Sequence, residues 1–160
     1  MEELPEKNLR TEGLKRFNYL ISETNAVYHE AALKMGLSDS SMMVLYTICN
    51  SGDHCLLRDI CKLSGASKQT INSALRKLEN EGIIYLGNFQ GKKKMVYLTD
   101  KGKELAKHTV FHLIEMENAI FESWPESEVE QYLKLTQKYL ISLKEQMKYF
   151  PDALQDEKQD

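Results

Sequence analysis

The stretch from residue 57 to residue 98 constrains this chain more than any other, because four local patterns follow one another in an order that few folds can use. Leu57, Ile60 and Leu63 recur at steps of three and predict a short helix that breaks at Ser64-Gly65. Ser67 is then placed to cap a fourth helix by accepting a hydrogen bond from a backbone N–H that has no partner within the helix. That helix is expected to run to about Glu81, with Ile71, Ala74, Leu75 and Leu78 on one face. Lys68, Gln69, Thr70, Asn72, Ser73, Arg76 and Lys77 are left for its outer sides. A helix face that is merely solvated commonly mixes Glu with Lys four residues apart. Here the outer sides of the first three turns offer short hydrogen-bonding side chains and cations alone. Asn and Gln suit adenine edges, Arg suits guanine, and Ser or Thr suits phosphate.

Glu81-Gly82 closes the helix with a glycine past its end, and two short apolar and aromatic runs follow at residues 83–86 and 95–98. Between them lie residues 87–94, a loop tipped by Lys92, Lys93 and Lys94, with Gly87 and Gly91 expected to give it backbone freedom. Short helix, tight turn, polar-faced helix and basic hairpin together read as a winged helix-turn-helix. The expected fold class is therefore mainly α with a small β-hairpin wing.

Charge follows the same division. Residues 56–103 carry ten basic and four acidic side chains, a net +6, while the remainder carries eleven and twenty, a net −9, giving the chain its formal −3. One basic module set in an acidic framework is the pattern expected of a local surface that meets a polyanion. By itself the lysine-rich hairpin also fits a solvated turn.

The helices on either side of the module carry long apolar stripes. Residues 11–34 hold Leu14, Phe17, Leu20, Ile21, Thr24, Val27, Tyr28 and Ala31 at three- and four-residue steps, and Gly36 ends the run. Ser38 is placed to cap a second helix that turns Met42, Met43, Leu45, Tyr46 and Ile48 inward as far as Ser51-Gly52. After the wing, Thr99 or Asp100 is expected to start one long helix reaching about Phe121. Ser123-Trp124-Pro125-Glu126 then has the spacing of a capping box. The last helix places Val129, Tyr132, Leu133, Thr136, Tyr139, Leu140, Leu143, Met147 and Phe150 on one stripe, which is too long for a small winged-helix core to cover. A second copy of the chain is the simplest cover. Organisation is thus one domain over residues 1–160: dimerisation helices at 11–34 and 104–150, a DNA-binding module at 38–103, and a polar tail at 151–160.

At 160 residues the chain is long enough to bury a core without staples. Cys49, Cys55 and Cys61, lacking a C-x-x-C pair, read as reduced thiols, most simply small buried residues, with redox sensing the alternative. No apolar run approaches the length of a membrane span, and the polar, acidic opening differs from a signal peptide, so the expected location is the cytoplasm, with no membrane partner.

Three segments of this sequence resemble the MarR family of bacterial transcriptional regulators. QGKKKMVYLTDKG at residues 90–102 is similar to the family's wing-to-helix pattern D-G-R-x-x-x-V-x-L-T-x-K-G, and LSDSSMMVLYTI and LENEGII resemble its second helix and the end of its recognition helix. The likeness covers roughly residues 11–150. Gln90 stands where the family usually has Asp, and Lys92 where it usually has Arg. Lysine lacks the planar fork of Arg and is more strongly hydrated, so a wing built on Lys92 discriminates groove shape less. The resemblance implies a homodimer that straddles a pseudopalindromic site on double-stranded DNA as a repressor. Half-sites of such dimers lie about 10 base pairs apart. It implies that Arg58, Ser67, Lys68, Gln69, Thr70, Asn72, Ser73, Arg76, Lys77, Lys92, Lys93 and Lys94 face DNA. Leu14, Phe17, Tyr139, Leu140, Leu143, Met147 and Phe150 would face the second copy. Family members commonly respond to aromatic acids or other amphipathic small molecules; Phe17, Tyr19, Met42, Met43 and Tyr46 fit either the lining of an effector cleft or plain core and stay unassigned.

Other readings compete. Glu104, His108 and His112 fall at i, i+4 and i+8 of the expected fifth helix, so an adjacent pair could share a metal in a metal-responsive regulator using His108 and His112. Eight residues of helix span about 12 Å, too far for all three, and two exposed histidines is the plainer reading. No cofactor is expected. An enzyme is not expected either: no dinucleotide, P-loop or nucleophile-elbow motif is present, and the run from His29 begins like H-E-x-x-H but has Leu33 in place of the second ligand. The remaining rival is a winged helix that binds protein instead of DNA.

Overall fold

The computed structural model describes residues 12–91 and 93–151. Among them lie seven helices and a three-stranded antiparallel sheet, divided into one unit through Glu115 and a second from Met116.

In the first unit, α1 (Glu12–Lys34) is exposed along almost its whole length, with Ala32 its one buried residue; the expected start at Thr11 lies outside the described residues. The centre of the core is α2 (Asp39–Asn50). Ser38 caps it as expected by accepting the Ser41 N–H at 3.2 Å, and Val44, Leu45 and Ile48 are completely buried. Two polar residues enter this interior already satisfied: Ser41 takes a hydrogen bond from the Ser38 hydroxyl, and Thr47 donates to the Met43 carbonyl at 2.8 Å. Pairing buried hydroxyls in this way removes the cost of stripping them of water.

A strand not expected from sequence follows, β1 (His54–Leu56). Three residues are too few to display a period, and they are a strand only because they pair with a later one. Next come α3 (Leu57–Ser64) and α4 (Lys68–Asn80), separated by Gly65 in the left-handed conformation. Leu63 does not join the core as its spacing suggests: steps of three drift around a helix of 3.6 residues per turn, and it is left 66% exposed. Ser67 caps α4 through the Thr70 N–H at 3.1 Å, and Ile71, Ala74, Leu75 and Leu78 are buried.

The wing is β2 (Ile84–Phe89) and β3 (Lys93–Leu98), with β3 in the middle of the sheet order β1-β3-β2. Its strands are longer and its loop shorter than expected. Phe89 pairs with Lys93, leaving only residues 90–92 between the strands, and Gln90 and Gly91 both take positive φ, 50° and 74°. Gly87 is therefore not a loop residue. It pairs with Met95, and a Cβ there would come 2.9 Å from the Tyr97 ring. What the sequence offers as loop freedom is room for an aromatic ring.

The long helix expected after the wing is two. α5 (Asp100–Lys107) and α6 (Val110–Ser123) are separated at His108-Thr109, where bonding shifts to the third preceding carbonyl: Thr109 N–H to Ala106 and His112 N–H to Thr109, at 3.2 and 3.1 Å. Thr109 at the break is buried and its hydroxyl donates to Leu105 O at 2.6 Å. Apolar residues on both sides remain inward, so periodicity gives no sign of it.

Residues 99–102 lock the wing to the end of α4. Gly82, at φ 70°, ends α4 with its N–H bonded to Glu79 O and the Ile83 N–H bonded to Leu78 O, while Ile83 and Leu78 are both buried. The carbonyls of this turn then receive the residues after β3. Thr99 donates its N–H to Ile83 O at 3.0 Å and its hydroxyl to Gly82 O at 2.6 Å, and that hydroxyl accepts the Gly102 N–H as the cap of α5. Lys101 Nζ reaches Glu81 O at 2.7 Å. Gly102 lies so close that a Cβ would stand 2.0 Å from Ile83 O.

In the second unit, α6 ends and α7 (Glu126–Met147) begins at Pro125. The expected capping box is absent: the Ser123 hydroxyl donates back to Ile120 O at 2.7 Å, and Pro125 occupies the N-cap without a side-chain bond. Phe121, Trp124 and Tyr132 hold this turn instead, ring centroids 5.7 to 6.1 Å apart. No residue of α7 is buried.

Gly102→Ala should cost about 1–3 kcal/mol by forcing α5 off the Ile83 carbonyl, read as a lowered urea midpoint. Lys101→Met at the neighbouring exposed position should cost much less.

Candidate nucleic-acid interface

The outward strip of α4 follows from its buried stripe. With Ile71, Ala74, Leu75 and Leu78 inward, a rotation of about 100° per residue puts Gln69, Ser73 and Arg76 directly opposite. Lys68 and Asn72 fall on one flank, Thr70 and Lys77 on the other. Lys68, Gln69, Asn72, Ser73 and Arg76 line one continuous shallow concavity. Ser67 and Thr70 are engaged locally, their hydroxyls 2.8 Å apart in the N-terminal cap.

On the Lys68 flank a second hollow, of about 460 Å³, brings three elements together. Arg58 comes from α3, Lys68 and Asn72 from α4, and Lys93 and Lys94 from β3, over a floor that includes Leu57 and Cys61. Arg58 Nε sits 3.5 Å from Asp59, a loose and exposed pair. Lys92, expected at the wing tip, lies outside the described residues. The structure thus brings together Arg58, Lys68, Asn72, Lys93 and Lys94, and places Gln69, Ser73 and Arg76 beside them.

Composition gives no hint of an aromatic row that crosses the sheet. His54, Tyr97 and Tyr85 are directly opposite one another on β1, β3 and β2 and stack in a row, centroids 5.5 and 5.0 Å apart. Asp53 bridges His54 Nδ1 at 2.7 Å and Lys103 Nζ at 3.0 Å. Hydrogen bonds from His54 and Lys103 hold the Asp53 carboxyl below its ordinary range, and the bond to Asp53 raises Lys103. Alternation along β2 and β3 is enough to place the two tyrosines on one face; His54 needed the β1 pairing.

The thiols divide by position. Cys49 is buried within α2 and its pKa is pushed up to about 11 by loss of water; burial likewise raises Cys55. Cys61 is half-buried at the cationic hollow. His108 is the C-cap of α5, His112 lies in the first turn of α6, and His112 Nδ1 lies 3.5 Å from Glu115. Among the described residues no three His, Cys, Asp or Glu side chains are grouped to hold a metal.

The residues expected at a dimer contact are on apolar helix faces. Leu14 is 38% exposed on α1 and Phe17 half-buried. On α7, Tyr139, Leu140, Leu143 and Met147 are about half exposed, with Phe150 beyond its end more so. Of the residues with a possible effector role, Met42 is buried and Tyr46 packs against the core, whereas Tyr19 is exposed. No described helix is long and apolar enough to cross a membrane.

Comparison with known proteins agrees with this geometry. Residues 35–93 match the sequence profile of the MarR family. The fold is shared with a MarR family regulator from Neisseria meningitidis (20% identity, 86% of this chain and 96% of that one, TM-score 0.69). It is also shared with MepR of S. aureus in its DNA complex (24%, 83% and 96%, TM-score 0.65). A third neighbour is Bordetella bronchiseptica BpsR, whose DNA binding is regulated by 6-hydroxynicotinic acid (17%, 78% and 98%, TM-score 0.57). No curated protein sequence matches the chain. Its profile match over residues 35–93 and its fold make the chain similar to MarR family transcriptional regulators across the winged-helix module.

Proposed function

We propose that this chain binds double-stranded DNA sequence-specifically as a homodimer, with α4 in the major groove and the wing lysines Lys92, Lys93 and Lys94 on the backbone or minor groove. One observation carries this reading: from Lys68 to Lys77 the exposed face of α4 has no carboxylate, and it adjoins a hollow lined by Arg58, Lys93 and Lys94. A duplex is the ligand whose regular phosphates and base edges match cations beside short hydrogen-bonding side chains. MepR, with a similar fold, is known in complex with DNA.

Residues 38–103 form the DNA-binding module in this proposal, and residues 11–34 and 104–150 pair two copies. Support for pairing comes from α7, where Leu133, Leu140, Ile141 and Leu143 are each about half exposed. Apolar surface on this scale belongs to an interface. Two modules related by a twofold axis then address a pseudopalindrome. We assign the dimer a repressor's role, released by a small molecule as BpsR is regulated by 6-hydroxynicotinic acid. Release of labelled duplex on titration with aromatic acids tests that assignment.

Affinity for a preferred duplex should fall about 10³- to 10⁵-fold between 50 and 200 mM salt, as expected for about six to ten phosphate contacts. An apolar protein–protein contact would barely respond. Replacing Lys92, Lys93 and Lys94 with Gln should flatten that slope in a fluorescence titration. Leu140→Glu with Leu143→Glu should convert a dimer into monomers by analytical ultracentrifugation; a stable dimer would remove α7 from the interface. Maleimide should label Cys61 well before Cys49 in the native protein, and bound duplex should protect Cys61.

A further inference from the structure

This inference rests on the duplex-binding reading above and concerns which side chains read sequence. We propose that discrimination resides in Gln69, Ser73 and Arg76, while the hollow between α3, α4 and β3 seats a backbone phosphate. The half-site would then contain an adenine and a guanine about three base pairs apart.

The division is geometric. Gln69, Ser73 and Arg76 occupy an arc of about 60° centred opposite the buried stripe, so they reach farthest from the module. Seven residues of helix rise about 10.5 Å, which is three base-pair steps of about 3.4 Å. Arg76 can donate two parallel bonds to guanine O6 and N7. Gln69 can pair bidentately with adenine N6 and N7, and the Ser73 hydroxyl between them accepts either base. All three line the same concavity.

Apart from Arg76, the cations lie beside that summit, not on it. Lys68 and Asn72 line both concavities and form the ridge between them. Beyond the ridge, Arg58, Lys93 and Lys94 converge with Lys68 from three different elements. Base edges in the major groove carry no formal charge, whereas each phosphate carries one. Four cations around one shallow hollow, with Asn72 to donate a hydrogen bond, match a phosphate at the groove's border.

Selection from random duplexes with the full-length chain tests the division. The native protein should enrich a half-site with guanine and adenine at that spacing. Arg76→Lys keeps the charge but loses the fork, so it should lose about tenfold or more of the guanine preference with the salt slope unchanged. Gln69→Ala should relax the adenine position alone. Arg58→Gln with Lys94→Gln should weaken every sequence together and lower the salt slope by about two, with the enriched sequence unchanged. The proposal is overturned if Arg76→Lys and Arg76→Ala both retain the guanine preference, or if Arg58→Gln with Lys94→Gln changes the sequence selected. It is also overturned, with the duplex reading intact, if the native protein enriches a half-site lacking that pair. Enrichment of no duplex at all at low salt would defeat both.

Discussion

The carbonyls at the end of α4 are the point on which the rest of this module depends. A helix that presents its outer face to a partner can be fixed only along its buried stripe and at its ends. Ser67 holds one end of α4 through the Thr70 N–H. The other end is held by the chain after the wing, with Thr99, Lys101 and Gly102 meeting the Gly82–Ile83 turn and the Glu81 carbonyl. Because Thr99 both follows β3 and caps α5, one residue ties α4, the wing and α5 together. An exposed helix face placed in this way owes its orientation to groups on its concealed side.

The same junction explains why L-T-x-K-G is the legible part of the sequence. Leu98 is buried, Thr99 is the cap, Lys101 meets a carbonyl and Gly102 is the only residue that fits against Ile83. Each position answers a local demand, so the pattern persists in one dimension. Ser38, Ser67 and the stripe of α4 are legible for the same reason. β1 is not, because His54–Leu56 become a strand only by pairing with residues about forty positions away. The break at Thr109 is equally hidden, since a buried threonine reads as one more small inward residue. Gly87 is misleading as a loop marker because its reason for being glycine is a ring on the next strand.

The interface divides along the same line. That residues 56–103 are basic is plain from counting. That Arg58 shares a hollow with Lys93 and Lys94 is not, because α3, α4 and β3 converge only in the folded module. Charge totals give the partner's sign. Only the tertiary arrangement separates the side chains at the summit of α4 from those on its flank, and in the proposed complex that separation distinguishes reading from holding.

A positive module within a net-negative chain also has kinetic meaning. In the proposed complex the surrounding negative charge repels a polyanion from surfaces other than the module, so productive encounters concentrate on one face. In the proposed dimer the exposed apolar helices act in the opposite sense, drawing like to like. In the proposed dimer both effects act together: pairing removes apolar surface from water and sets two cationic modules at a fixed spacing. The second half-site is then bound at an effective concentration far above that of free protein. Stability of the pair and occupancy of the site become linked through protomer concentration. A ligand that alters the pairing geometry need not touch the reading helix, since it suffices to move the two modules out of register with successive turns of the groove.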